Sequence, residues 1–178
     1  MFAKKLSNKR LTIDQIRYLH NAVLLPRVEY RLKATMLSEK DCKEIMSPMK
    51  KFFKNTTYLT ISIPDAFLHS SSALNFFDLF ARILTNHVST LKAHLIMDNG
   101  TLNDIMDICL ANLQDSLYLP FSPFVLTHEE FSVFHFTKSF RHDLIFRVLF
   151  FSSKLGITFA RPLQASRSVG DISLFMLF

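Results

Sequence analysis

The chain has no tryptophan, three glycines and two cysteines in 178 residues. With so little glycine and only six prolines, it lacks the composition of a disordered or low-complexity segment. Cys42 and Cys109 lie far apart and without metal-ligand spacing, so neither a disulfide framework nor a zinc site is expected. Both fall at apolar helix positions, which predicts buried, reduced thiols and a reducing compartment, cytoplasmic or nuclear. No window holds the roughly 18 uninterrupted apolar residues of a membrane helix. The greasiest stretch, Leu144 to Phe151, is broken by Arg147. No apolar run precedes a small-residue cleavage site near Met1, so no signal peptide is expected. There is no fixed-period repeat and no pair of adjacent aspartates.

What is present is hydrophobic and unevenly charged. Apolar residues make up 49% of the chain, and 19 residues are Phe, most of them after Pro64. A chain this long fits one domain, or one domain with an extension, and buries about 70% of its unfolded surface. Residues 1–54 carry 13 Lys/Arg against 5 Asp/Glu, whereas residues 55–178 carry 8 against 10. A basic N-terminal third beside a nearly neutral remainder points to a polyanionic partner, or else to a solvated face.

The periodicity predicts an all-α fold, an irregular array of five to seven helices with no sizeable sheet. Thr12 and Gln15 form a capping box ahead of Ile13, Ile16, Leu19 or His20, Val23 and Leu24 at helical spacing. Pro26 ends that helix or begins the next. Ser38 is an N-cap with Glu39 and Asp41 in the first turn. Cys42, Ile45, Met46, Met49, Phe52 and Phe53 then make an apolar stripe, with Pro48 expected to kink or break it. Lys43, Lys50 and Lys54 share a face away from that stripe, flanked by Lys40 and Lys51.

Asn55 to Pro64 reads as a connector with room for an extended segment. Pro64-Asp65 opens a short helix ended by Ser70-Ser71-Ser72. A long helix follows from Leu74 to Leu91, then an Asp98-Asn99-Gly100 turn and a helix capped by Thr101 and stopped by Pro120. Thr127 and Glu130 form a further capping box, with the helix running to about Phe151 and Gly156 as its C-cap. The apolar end from Asp171 to Phe178 reads as truncated or as docked on something else. Four segments are expected: a basic stretch 1–11, a basic helical module 12–60, a helical connection 61–125 and a Phe-rich segment 126–178.

The run Ile16-Arg17-Tyr18-Leu19-His20-Asn21-Ala22-Val23-Leu24-Leu25-Pro26-Arg27-Val28-Glu29-Tyr30-Arg31-Leu32 resembles the thumb entry of non-long-terminal-repeat retrotransposon reverse transcriptases. That pattern is a Tyr, an Asn, an apolar pair, Pro, an apolar residue and Tyr-Arg. Leu37-Ser38 with Cys42, Ile45 and Pro48 looks like the family's next helix. Ile63-Pro64-Asp65-Ala66 with Leu68-His69 looks like its following turn. Leu113-Gln114, Leu117, Pro120 and Pro123 look like its Leu-Gln segment. The resemblance covers residues 12–125 and lies in the order of the series rather than in any one motif.

It implies a helical thumb that holds a template–primer duplex, RNA or an RNA–DNA hybrid, through backbone phosphates; no cofactor is expected for this chain. The implied contacts are Arg27, Arg31, Lys43, Lys50 and Lys54, with Lys51 beside them. The family's catalytic motif, an aromatic residue, any residue and Asp-Asp, is absent, as are palm, fingers, endonuclease and ribonuclease H signatures. Two-metal polymerisation requires gathered carboxylates, so the chain is expected not to be an enzyme by itself. The alternative is a degenerate retroelement relic or a helical protein-interaction module.

Other residue groups carry their ordinary readings beside chemical ones. Tyr18 and Tyr30 stack on bases or, as such tyrosines more often do, seal a core edge. His87/His94 and His135/His142 are each seven apart but lack further ligands for zinc. Asp98, Asp104 and Asp107 do not match a calcium loop. Ser70-Ser71-Ser72 beside His69 has no nucleophile elbow. Phe131, Phe134, Phe136, Phe140, Phe146, Phe150 and Phe151 form either a core or a docking surface for the missing palm and fingers or another protein.

Overall fold

A computed structural model describes residue 9 and residues 11–60, 62–96, 101–135, 140 and 143–159. The expected Asp98–Gly100 turn, the basic residues ahead of Lys9, Phe136, His142 and the apolar end fall outside them. The fold is all-α, with no strand among the described residues. None of their helices is long and apolar enough to cross a membrane. The chain divides into two compact units, residues 1–83 and 84–178. Residues 62–83, expected with the helical connection, therefore fold with the basic module.

Unit 1 begins with a rod built of α1 (Ile13–Tyr18), a π-helical turn (Leu19–Leu24) and α2 (Leu25–Arg31). The Thr12/Gln15 capping box is present, and Pro26 occupies the first turn of α2. The inner face is Ile16, His20 and Leu25, all buried. A strict α-helix would carry the fifth residue after His20 about 140° off that face; the wider i→i+5 turn keeps Leu25 inward. The expected inner positions Ile13, Val23 and Leu24 are exposed or half-buried instead.

Helix α3 (Glu39–Thr56) opens on Ser38, whose hydroxyl accepts from Asp41 N while Asp41 returns the bond to Ser38 N. Cys42, Met46, Met49, Phe52 and Phe53 are buried, and Ile45 is exposed. Pro48 does not break the helix, which runs through it. Pro48 and Glu44, whose carbonyl loses its donor, are both exposed, so the missing bond falls on the solvent side of the helix. Asn55 and Thr56 belong to α3 rather than to an extended connector. Its end is a Schellman turn, with Leu59 N donating to Lys54 O and Tyr58 at φ 54.

Helix α4 (Asp65–His69) follows Pro64 as expected. The next helix starts later than the periodicity from Leu74 implies. Asn75–Phe77 runs as a non-helical strap, and the Asp78 carboxylate accepts from Ala81 N to open α5 (Leu79–Ile96). The strap is held by side chains. Asn21 donates to Asn75 O at 2.9 Å and accepts from Phe77 N at 3.0 Å. His20 and His69 bond the carbonyls of Phe77 and Phe76.

In unit 2, α8 (Leu144–Lys154) packs against α6 (Thr101–Ser116) and α7 (His128–His135). The one helix expected from Thr127 to Phe151 is two, because Asp143 caps a new start through Phe146 N. The Thr127/Glu130 capping box is present. Gly156 ends α8 at φ 71 in another Schellman turn, with Ile157 N on Ser152 O. Phe131, Phe140, Phe146 and Phe151 are buried, so these four belong to the core. Cys42 is buried and reduced, but Cys109 is exposed: α6 turns Leu110 and Leu113 inward and leaves Ile105, Ile108 and Cys109 outside.

Candidate nucleic-acid interface

A polyanion site needs cations that are exposed and not already neutralised. The acids of unit 1 decide which cations those are. Asp14 pairs with Arg17 and Glu39 with Lys43, both on the surface. Glu29 takes the Arg82 guanidinium. Asp41 is used in its capping box and Asp78 in opening α5. Asp65 takes two lysines, Lys50 at 2.7 Å and Lys54 at 3.2 Å.

The six residues expected to contact phosphate therefore separate. Lys50 is largely covered, and Lys54 is buried with its ammonium 2.7 Å from Ile63 O. The lysine pair keeps the Asp65 carboxyl below its usual range, chiefly through the Lys50 hydrogen bond. Periodicity placed Lys43, Lys50 and Lys54 on one outward face; the turn after α3 brings Asp65 over the last two. Lys43 stays exposed, and its hydrogen bond to Glu39 raises its pKa.

Arg27, Arg31 and Lys51 are exposed and have no acidic partner among the described residues. Arg27 and Arg31 are one turn apart on α2 and so share a face. Lys40 and Lys51 are eleven residues apart on α3, within about 20° of each other around the axis. Tyr18 and Tyr30 do not seal the core edge: they are 66% and 73% exposed. The Lys33 ammonium lies 5.3 Å from the Tyr30 ring centroid, a cation–π contact that the helical periodicity did not single out. The i,i+3 spacing of Tyr30 and Lys33 was the signal available for it.

Among the described residues no group of three or more His, Cys, Asp or Glu is arranged to hold a metal ion. Ser70 Oγ lies 2.7 Å from Ser72 Oγ, and the His69 ring is engaged with Phe76 O. The serine cluster is thus a turn rather than a nucleophile with its base. No protein-family model, curated protein or solved structure matches the chain.

Proposed function

We propose that the chain is a non-catalytic helical fragment of a retroelement reverse transcriptase-like protein that grips template–primer nucleic acid through backbone phosphates. The observation that carries this reading is the set Arg27, Arg31 and Lys51, exposed and without an ion pair to any acid among the described residues. Lys43 supports the same surface. Lys50 and Lys54 serve it indirectly by fixing the turn that follows α3. Tyr18 and Tyr30 are exposed, and bases or sugars can stack on such rings. The ordered resemblance over residues 12–125 supports an origin in the thumb and connection. The absence of an Asp-Asp pair supports a binding role without chemistry.

Fluorescence anisotropy of a labelled RNA–DNA hybrid against salt tests the reading. Each phosphate contact contributes about 0.9 to the slope of log affinity against log salt. Arg27→Glu/Arg31→Glu/Lys51→Glu should weaken binding strongly and reduce the slope by about 2 to 3. Unchanged affinity and slope in a folded triple variant would remove the proposal. The competing docking reading for the C-terminal Phe residues gains nothing from Phe131, Phe140, Phe146 and Phe151, which are inside.

A further inference from the structure

Unit 1 holds a partly open cavity of about 10 Å³ whose lining includes His20, His69, Asp78, Lys50, Met46 and Phe53. That is about the space one water molecule needs. His20 is 2% exposed and bonds Phe77 O through Nε2 at 3.0 Å. His69 bonds Phe76 O through Nδ1 at 2.7 Å. A carbonyl oxygen only accepts, so both ring nitrogens donate, and each neutral ring carries its lone pair on the other nitrogen. Those nitrogens, His20 Nδ1 and His69 Nε2, are both buried and without a hydrogen-bond partner.

We propose that the cavity is a built site for one water molecule, which donates to His20 Nδ1 and His69 Nε2 and makes the strap over residues 75–78 acid-labile. Two buried acceptors without partners, on two residues that line one water-sized space, match the two O–H groups of water. A proton added at His20 Nδ1 turns that acceptor into a donor and places an imidazolium near the Lys50 ammonium of α3. Asp78, whose carboxylate lies 3.7 Å from His69 Nε2, offsets it, while Asp65 is held by Lys50 and Lys54. The charged ring holds Phe77 O, so its repulsion from Lys50 loosens the strap.

The pKa of His20 agrees in direction. Burial lowers it below 6.5, His69 and Lys50 lower it further, and the Phe77 carbonyl and Asp78 act the other way. A folded pKa below the unfolded one means that the stabilisation is present above 6.5 and is lost as pH falls toward the folded value.

Nitrogen-15 NMR of the histidine rings in the full chain, with urea unfolding from about pH 8 to about pH 5, tests this. The expected result at neutral pH is a proton on Nε2 of His20 and on Nδ1 of His69, with a water cross-peak to both rings. The unfolding constant should rise by up to about tenfold per pH unit for each linked proton below 6.5. His20→Gln keeps a donor for Phe77 O but cannot be protonated, and should flatten that dependence. If it does not fold, His69→Asn keeps the donor to Phe76 O and should abolish the water cross-peak. The opposite tautomer on either ring, a missing water signal, His20 titrating at or above 6.5, or an unchanged pH slope in the folded His20→Gln chain overturns the proposal.

Discussion

Phe76 lies parallel to Phe53, with ring centroids 4.4 Å apart and planes 4° apart. The His20 ring stands edge-on to both, at 5.0 and 5.2 Å. This stack joins the strap, α3 and the π-helical turn, and both phenylalanines are buried. Phe76→Ala should destabilise unit 1 by about 3–5 kcal/mol, read as a lowered urea midpoint at constant slope. A loss under about 1 kcal/mol would mean that the stack is not a core contact.

Asp65 is shared by two lysines, Lys50 and Lys54. Asp65→Asn leaves the buried Lys54 ammonium with a neutral partner, and should cost about 1–2 kcal/mol near pH 7. The folded pKa is lowered, so this contribution is present above 3.8 and is lost as pH falls through the folded value. Wild type and variant should therefore converge in stability below pH 3.8. Coincident acid-unfolding curves would show that the ion pair contributes nothing.

Tyr58 closes α3 at φ 54 with its side chain 97% exposed. A non-glycine residue there carries left-handed strain of about 1–2 kcal/mol, and the ring buries nothing in return. Tyr58→Gly should raise stability by up to about 1 kcal/mol, since added chain entropy in the unfolded state offsets part of the relief. Thermal unfolding measures it, and a fall in stability would show that the ring makes a contact worth more than the strain.

Much of the fold was legible because caps and apolar stripes are local signals. Thr12, Ser38, Thr127 and Gly156 each stand where their chemistry predicts. The misplaced features depend on residues distant in sequence. Nothing near Lys50 and Lys54 shows that Asp65 folds back to meet them, so their outward face could not be told from an inward one. The start of α5 was misread because Asn21, more than fifty positions away, holds Asn75 and Phe77 outside the helix. Arg27 and Arg31, singled out by the resemblance, and Lys51, beside the lysine face, are exposed.

Ser152 is fully buried in α8, and its hydroxyl has no hydrogen-bond partner. Removing an unsatisfied buried hydroxyl removes its desolvation cost, so Ser152→Ala should stabilise unit 2 by about 1 kcal/mol. Denaturant titration of the variant decides this, and destabilisation would reveal a bonded partner for Oγ.

The π-helical turn at Leu19–Leu24 has a consequence for how this segment is compared with others. A wide turn is equivalent to an α-helix that has accepted one extra residue. The insertion is absorbed within that turn, so Ile16 before it and Leu25 after it keep the same inward phase. Aligning the rod with an uninterrupted helix thus requires a one-position gap between His20 and Leu25. Matching at fixed spacing would superpose buried positions on exposed ones from Leu25 onward.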